Sequence, residues 1–200
     1  PSTFFALNYQ MGGGVPFGKI IEIMGEESSG KSLIAYNFAY AAQQLGGHVI
    51  WVDAEQAWMN SWAEENGLDP ERVTVLNDTR IETISDAIAD LAIYWRSKLT
   101  NNEPIIVVID SIAALDSIEA IDAKMADSKA EMGNRAKQIY KMFRIRNELF
   151  YRLGVTMVCI NQLRSKLGAG FGQDTSTTPG GAALKFYASI RLAFYSGKTL

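Results

Sequence analysis

Five short apolar runs, spaced by longer stretches of helical periodicity, constrain this chain more than any other feature. The runs cover residues 19–24 (KIIEIM), 48–53 (HVIWVD), 73–77, 105–110 (IIVVID) and 155–161 (VTMVCIN), with a sixth candidate at 189–194. Near-continuous Ile and Val runs of this length suit strands covered on both faces, and strands that alternate with helices join most simply as βαβ units. The expectation is an α/β fold with a mostly parallel central sheet flanked by helices. Three of the runs close on Asp53, Asp110 and Asn161. In open sheets of this kind the ligand crevice lies beyond the carboxyl ends of the strands, so chemistry is expected at those polar ends.

Between the runs, Leu33, Ile34, Phe38, Ala41, Ala42 and Leu45 form one helical stripe, which Gly46-Gly47 closes. Ile84, Ala87, Ile88, Leu91 and Tyr94 form a second within residues 81–99. Ile139, Phe143, Leu149 and Phe150 mark a third helix over roughly 130–153, on which Lys137, Lys141 and Arg144 share a different face. Residues 117–129 and 163–181 fit no element, and the second stretch holds five Gly and five Ser or Thr. A structureless segment of that length inside a compact domain is usually functional or disordered.

Composition narrows the classes. At 200 residues, with 48% apolar and 20% charged side chains, the chain fits one globular domain. It shows no uninterrupted apolar span of membrane length and no basic segment leading into an apolar one at its start, which points to the cytosol and to no membrane partner. Cys159 is the sole cysteine and His48 the sole histidine, which argues against an internal disulfide, a thiolate zinc cage and a Ser-His-Asp triad. The net charge is −3, yet residues 124–152 carry eight Lys or Arg against three acids, a local +5 that leaves −8 for the rest. Such asymmetry suits either a surface for an anion or a solvated helix face.

Gly25, Glu26, Glu27, Ser28, Ser29, Gly30, Lys31 and Ser32 match G-x-x-x-x-G-K-[ST] in full, after an expected strand and before an expected helix. The glycines let backbone N–H groups turn inward around phosphate oxygens, and the helix N-terminus adds partial positive charge. Lys31 would reach the β and γ phosphates of ATP, and the Ser32 hydroxyl would ligate Mg²⁺. Asp110 closes a buried strand and suits the second, Walker B role on the same ion, so together the two pieces specify a P-loop NTPase. Asp53 and Glu55 end another strand at the same crevice. Glu55 is the better candidate for orienting water, although spacing alone does not separate the two.

GEESSGKS, WVDAEQAW, IIVVIDSIAAL, INQLRSKLGAGFG and GGAALKFYASIRL resemble, in order, the successive motifs of the bacterial RecA recombinase family. The resemblance runs from about residue 2 to residue 192. It implies a RecA-type ATPase core across residues 1–200 and ATP-dependent filament formation on single-stranded DNA. Pairing with double-stranded DNA and strand exchange would follow. By that resemblance Glu55 is the catalytic glutamate, Gln162 senses the γ phosphate, and Trp62 lies beside adenine. Met132, Gly133, Leu167 and Gly168 resemble residues that wedge between bases, while Lys137, Arg144 and Arg164 resemble phosphate-contacting residues. Phe171 suits packing and a DNA or subunit contact equally. Lys185 and Phe186 resemble the segment facing a neighbouring protomer's nucleotide.

Glu26 stands where the family often has proline, and Met59 and Asn60 stand where it has an Asp-Pro pair, changes in keeping with a divergent phage or plasmid version. The family's N-terminal docking segment, later core strands and C-terminal domain are not matched, so the chain is expected to be a truncated core. Two other readings stay open: another RecA-fold motor, such as a replicative helicase or a RadA-like branch-migration protein, and a non-hydrolysing DNA-binding module.

Overall fold

The computed structural model describes residues 2–122, 128–165, 176–177, 179 and 182–195. In chain order its elements are α1 (Phe5–Gln10), β1 (Ile20–Gly25), α2 (Lys31–Gln44), β2 (His48–Asp53), α3 (Asn60–Glu65), β3 (Val73–Leu76), α4 (Ile81–Arg96), β4 (Ile105–Asp110) and α5 (Ile118–Asp122). They continue with α6 (Ser128–Arg152), β5 (Val155–Gln162), β6 (Arg164–Ser165), β7 (Ser176–Thr177), α7 (Ala183–Tyr187) and β8 (Ile190–Phe194).

Six strands form one sheet in the order β3-β2-β4-β5-β1-β8. Every pairing in it is parallel, so the sheet goes beyond the mostly parallel expectation, and the sixth candidate run is its edge strand β8. Alternate side chains feed two cores, as the period of two in a strand requires. Ile50, Val52, Val107, Ile109 and Met157 meet Ile84 and Ile88 of α4 and Ile139 and Phe143 of α6. Val49, Trp51, Ile106, Val108 and Val158 meet Ile34, Phe38 and Ala42 of α2 on the opposite face. This two-sided burial explains why the runs read as continuous rather than alternating.

Glu22 is the polar exception, fully buried in the middle of β1. Its carboxylate accepts hydrogen bonds from Asn161 Nδ2 of β5 at 3.0 Å and from Arg191 Nε of β8 at 2.6 Å. A buried charge is costly unless paired in this way, and the pairing ties three neighbouring strands together.

Several expectations shift. Leu33 and Tyr94 are exposed because the buried faces run through Ala35, Phe38, Ala39 and Ala42 of α2 and through Ile81, Ile84, Ser85, Ile88 and Ala92 of α4, which places both residues on the opposite side, and Leu45 is exposed just past the end of α2. Residues 117–129 contain α5 and the start of α6, and residues 163–181 contain the antiparallel pair β6–β7. The six-residue helices α1 and α3 have no counterpart in the sequence reading. No helix among the described residues is long and apolar enough to cross a membrane.

Candidate functional site

β1 runs out at Gly25, the chain turns, and α2 begins at Lys31. Gly25 has no room for a side chain: a Cβ there would lie 2.6 Å from the Phe194 carbonyl oxygen and 2.6 Å from Ser29 Oγ. Gly30 precedes the helix at φ 87°, a left-handed conformation that glycine adopts without strain. Within the turn, Ser29 Oγ donates to the Glu26 carbonyl at 2.8 Å, and the Lys31 ammonium donates to the same oxygen. Glu26, Glu27 and Ser28 are exposed along the turn. Gly25 pairs in register with Gln162, and the Leu163 N–H donates to the Gly25 carbonyl at 3.0 Å, so the ends of β1 and β5 are joined at the loop.

Ser32, on the first turn of α2, donates from Oγ to Asp110 Oδ2 at 2.9 Å. Asp110 ends β4 and sits opposite Asp53 in register. Burial pushes the Asp110 carboxyl up to about 6; the Glu55 and Asp53 carboxylates add to that shift, and the Ser32 hydrogen bond and the Lys31 charge oppose it. The two acids that spacing left equivalent are distinct here. Asp53 is buried and spends its oxygens on the Ala57 and Trp58 N–H groups, each at 2.9 Å, which shapes the turn after β2. Glu55 is exposed beyond the strand end, where its Oε1 accepts from Ser111 Oγ at 2.5 Å. Ser111 had no signal of its own except its place directly after Asp110.

A cavity of about 380 Å³ opens beside the loop, lined by Ser32, Asp53 and Asp110 and by Tyr36, Trp58, Met59 and Trp62. Trp62 is 45% exposed on α3 and faces this space. Tyr36 and Trp58 were not among the expected site residues, Trp58 standing only as the last residue of WVDAEQAW. An aromatic residue at i+4 from Ser32 was the available clue for the first. Burial, together with the Asp110 and Asp53 charges, pushes the Tyr36 phenol up to about 12.

The donor set suits a phosphate group with a small hard cation: a cradle only glycine can line, an ammonium, a hydroxyl and a carboxylate 2.9 Å apart. Gly25, Gly30, Lys31, Ser32, Asp110, Glu55, Gln162 and Trp62 are thus brought to one end of the sheet. The basic residues of α6 are separate. Lys137, Lys141 and Arg144 are exposed, whereas Arg146 is ion-paired with Asp86 and Arg135 donates to the Ala113 carbonyl at 3.3 Å. Met132 and Gly133 lie on the helical backbone of α6, and Arg164 lies in β6. Leu167, Gly168 and Phe171 are outside the described residues. Lys185 and Phe186 are exposed on α7, the phenyl ring at 78%, so the latter is not a core residue.

A parallel sheet, a glycine loop running from its first strand into a helix, and a carboxylate at the end of a strand two places along define the P-loop class with a RecA-type core. Comparison with known sequences narrows the class. A family model for the RecA N-terminal domain matches residues 1–199. Among curated relatives, the protein named Protein RecA from Corynebacterium urealyticum is 40% identical over 193 residues, 96% of this chain and 49% of its own length. The protein of the same name from Rubrobacter xylanophilus is 41% identical over 188 residues, covering 94% of this chain and 52% of itself. That from a Picosynechococcus strain is 38% identical over 200 residues, covering the whole chain and 55% of itself. The chain belongs to the RecA family, and it spans about half the length of these relatives.

Proposed function

We propose that this chain is the ATP-binding core of a homologous recombination protein, a DNA-dependent ATPase that assembles as a filament on single-stranded DNA and pairs it with a homologous duplex. The observation that carries the reading is the Ser32–Asp110 contact of 2.9 Å in front of a loop where Gly25 has no room for a Cβ. In a RecA family chain, that arrangement suits a magnesium nucleotide better than any other ligand class.

In this reading, backbone N–H groups of residues 25–32 hold the phosphates, Lys31 leaves the Glu26 carbonyl to reach the terminal ones, and Ser32 and Asp110 hold Mg²⁺. Bound there, Mg-ATP supplies a phosphoanhydride bond whose cleavage can drive a conformational change. Glu55 orients a water and accepts its proton, while the Ser111 hydroxyl donates to Glu55 and fixes its rotamer. Gln162, beside Gly25 at the end of β5, relays the state of the phosphate site to the chain that follows. Trp62 packs on the base.

The exposed Lys137, Lys141 and Arg144 supply charge for a phosphate backbone, with Arg164 beyond β5 adding to it. Met132, Gly133, Leu167 and Gly168 would contact bases, and Lys185 with Phe186 would meet a neighbouring protomer. Binding of this kind tracks the backbone, so it should be independent of sequence and sensitive to salt.

The test is ATP turnover with and without single-stranded DNA, on this chain and on a chain extended at both ends to the length of its relatives. DNA-stimulated hydrolysis and filaments in the extended chain are expected, with both lost in Lys31→Ala. An extended chain that does neither refutes the recombinase reading.

A further inference from the structure

Asn161 is fully buried near the end of β5, where it follows the apolar residues 157–160. A buried amide in such a place is costly unless every polar atom is paired, and here every one is. Nδ2 donates to Glu22 Oε1 at 3.0 Å and to the Pro179 carbonyl at 3.1 Å, while Oδ1 accepts from the Gln162 N–H at 3.0 Å. A carboxylate and a proline carbonyl are acceptors only, so a single amide orientation serves both. Glu22 is itself held. Its other oxygen accepts from Arg191 Nε at 2.6 Å, and Glu22 sits opposite Arg191 in the β1–β8 register. With one N–H fixed on a carboxylate that two strands hold in place, the second N–H of Asn161 is directed at Pro179.

Pro179 matters because of where the chain goes after β5. Past Gln162 it enters β6, and it returns as β7, antiparallel, with Arg164 opposite Thr177 and Ser165 opposite Ser176. A ladder of two residues on each side is too short to hold itself closed. Pro179 lies two residues beyond β7 and has no N–H, so its carbonyl is its only backbone handle, on a ring that fixes φ. The Asn161–Pro179 bond joins positions 18 apart and supplies a second tie across the same two chain ends.

We propose that Asn161 is a positioning residue, a clamp that holds the returning strand β7 against the departing strand β6 beside Gly25 and Gln162, with the buried Glu22–Arg191 pair as its anchor. The clamp thereby fixes where Arg164 of β6 stands relative to the phosphate loop. Only the consequence for DNA rests on the function proposed above; the clamp itself does not.

The first measurement uses this chain with Ser165→Cys and Ser176→Cys, since directly opposite partners of an antiparallel pair lie within reach of a disulfide. Cys159 does not compete, being buried, with its thiol pushed up by that burial and by Glu22. Equilibration with glutathione gives the effective concentration of the two new thiols. Adding Asn161→Ala should lower it by about 2- to 12-fold, the effect of losing one hydrogen bond. Asn161→Ser keeps a hydroxyl whose one proton cannot serve Glu22 and Pro179 together, so it should lower the value too and decides the matter if the alanine variant does not fold. In the second measurement, on the extended chain, Asn161→Ser should weaken Mg-ATP-dependent binding of single-stranded DNA. Oxidising the cysteine pair should restore that binding, and reductant should remove it again, a rescue that a merely structural defect would not show. Equal effective concentrations in parent and Asn161 variants overturn the clamp. Unchanged DNA affinity, or a loss that the disulfide does not repair, overturns the positioning role. An extended parent that binds no single-stranded DNA overturns the function proposed above, while the glutathione measurement still decides the clamp.

Discussion

Replacing Asp110 with Asn should make the nucleotide-free protein more stable while removing its response to Mg-ATP. The Asp110 carboxyl rises from an ordinary 3.8 to about 6 in the fold, chiefly through burial. The folded state thus holds this proton more tightly than the unfolded chain does. Stability from this group is greatest below pH 3.8, falls as pH rises through the window to about 6, and stays reduced above it. A carboxyl held at about 6 in place of 3.8 makes ionised Asp110 a burden of up to about 3 kcal/mol at pH 7.5. Asn keeps the shape and an oxygen that can accept from Ser32 Oγ, and it carries no charge. Allowing for relaxation of Asp53, Glu55 and Lys31 around the new amide, a gain of about 1–3 kcal/mol is expected at pH 7.5, shrinking toward zero near pH 4. Urea unfolding followed by tryptophan fluorescence, without metal, measures it. Added Mg-ATP should then raise the parent's midpoint and leave the variant's unchanged, since only a ligand that binds the native state stabilises it. A variant that unfolds at lower urea than the parent at pH 7.5 would refute the reasoning, because Asp110 would then be a structural anchor and not a charge held for a ligand.

Three further outcomes are expected. His48 is buried, stacked on Trp95 at 3.6 Å between ring centres, and its pKa is lowered to about 4 by burial and by Arg72. Its contribution is therefore present above pH 6.5 and lost as pH falls toward 4; a ring-proton titration with a midpoint at 6 or higher would contradict this. Glu55→Gln in the extended chain should retain Mg-ATP binding and lower DNA-stimulated turnover by about 10²- to 10⁴-fold, so single-turnover rates equal to the parent's would remove Glu55 from the chemistry. Replacing both Lys137 and Arg144 with Ala should weaken single-stranded DNA binding and flatten the slope of log affinity against log salt by up to about 1–2, and an unaltered slope would return that face of α6 to ordinary solvation.

The central strands β1, β2, β4 and β5 were legible because each is covered on both faces, so its apolar run is continuous and punctuated, and the loop from Gly25 to Ser32 was legible because its chemistry is local. Helices α1 and α3 were not. Each is six residues long, too short for a full stripe, and each is held by what it packs on, such as Leu7 against the core and the buried Ala63. Helical periodicity likewise placed Leu33 and Tyr94 on apolar stripes, whereas the inward faces run through Ala35, Phe38, Ala39 and Ala42 and through Ile81, Ile84, Ile88 and Ala92, because packing on the sheet and not side-chain type alone selects the face. At the site, composition and spacing identified the acids but could not rank Asp53 against Glu55. Chain folding ranks them, by spending one on two backbone N–H groups and leaving the other beside Ser111, 56 positions away. The same holds for the packed rings of Tyr36, Trp51 and Trp58, which come from α2, β2 and the turn after it. Sequence alone determined what lies within a few residues along the chain, namely strand runs, the glycine loop and the positive face of α6. Tertiary structure decided every contact between groups far apart in sequence, because a side chain's role depends on which hydrogen-bond partners and ring faces the fold brings within about 3–6 Å of it.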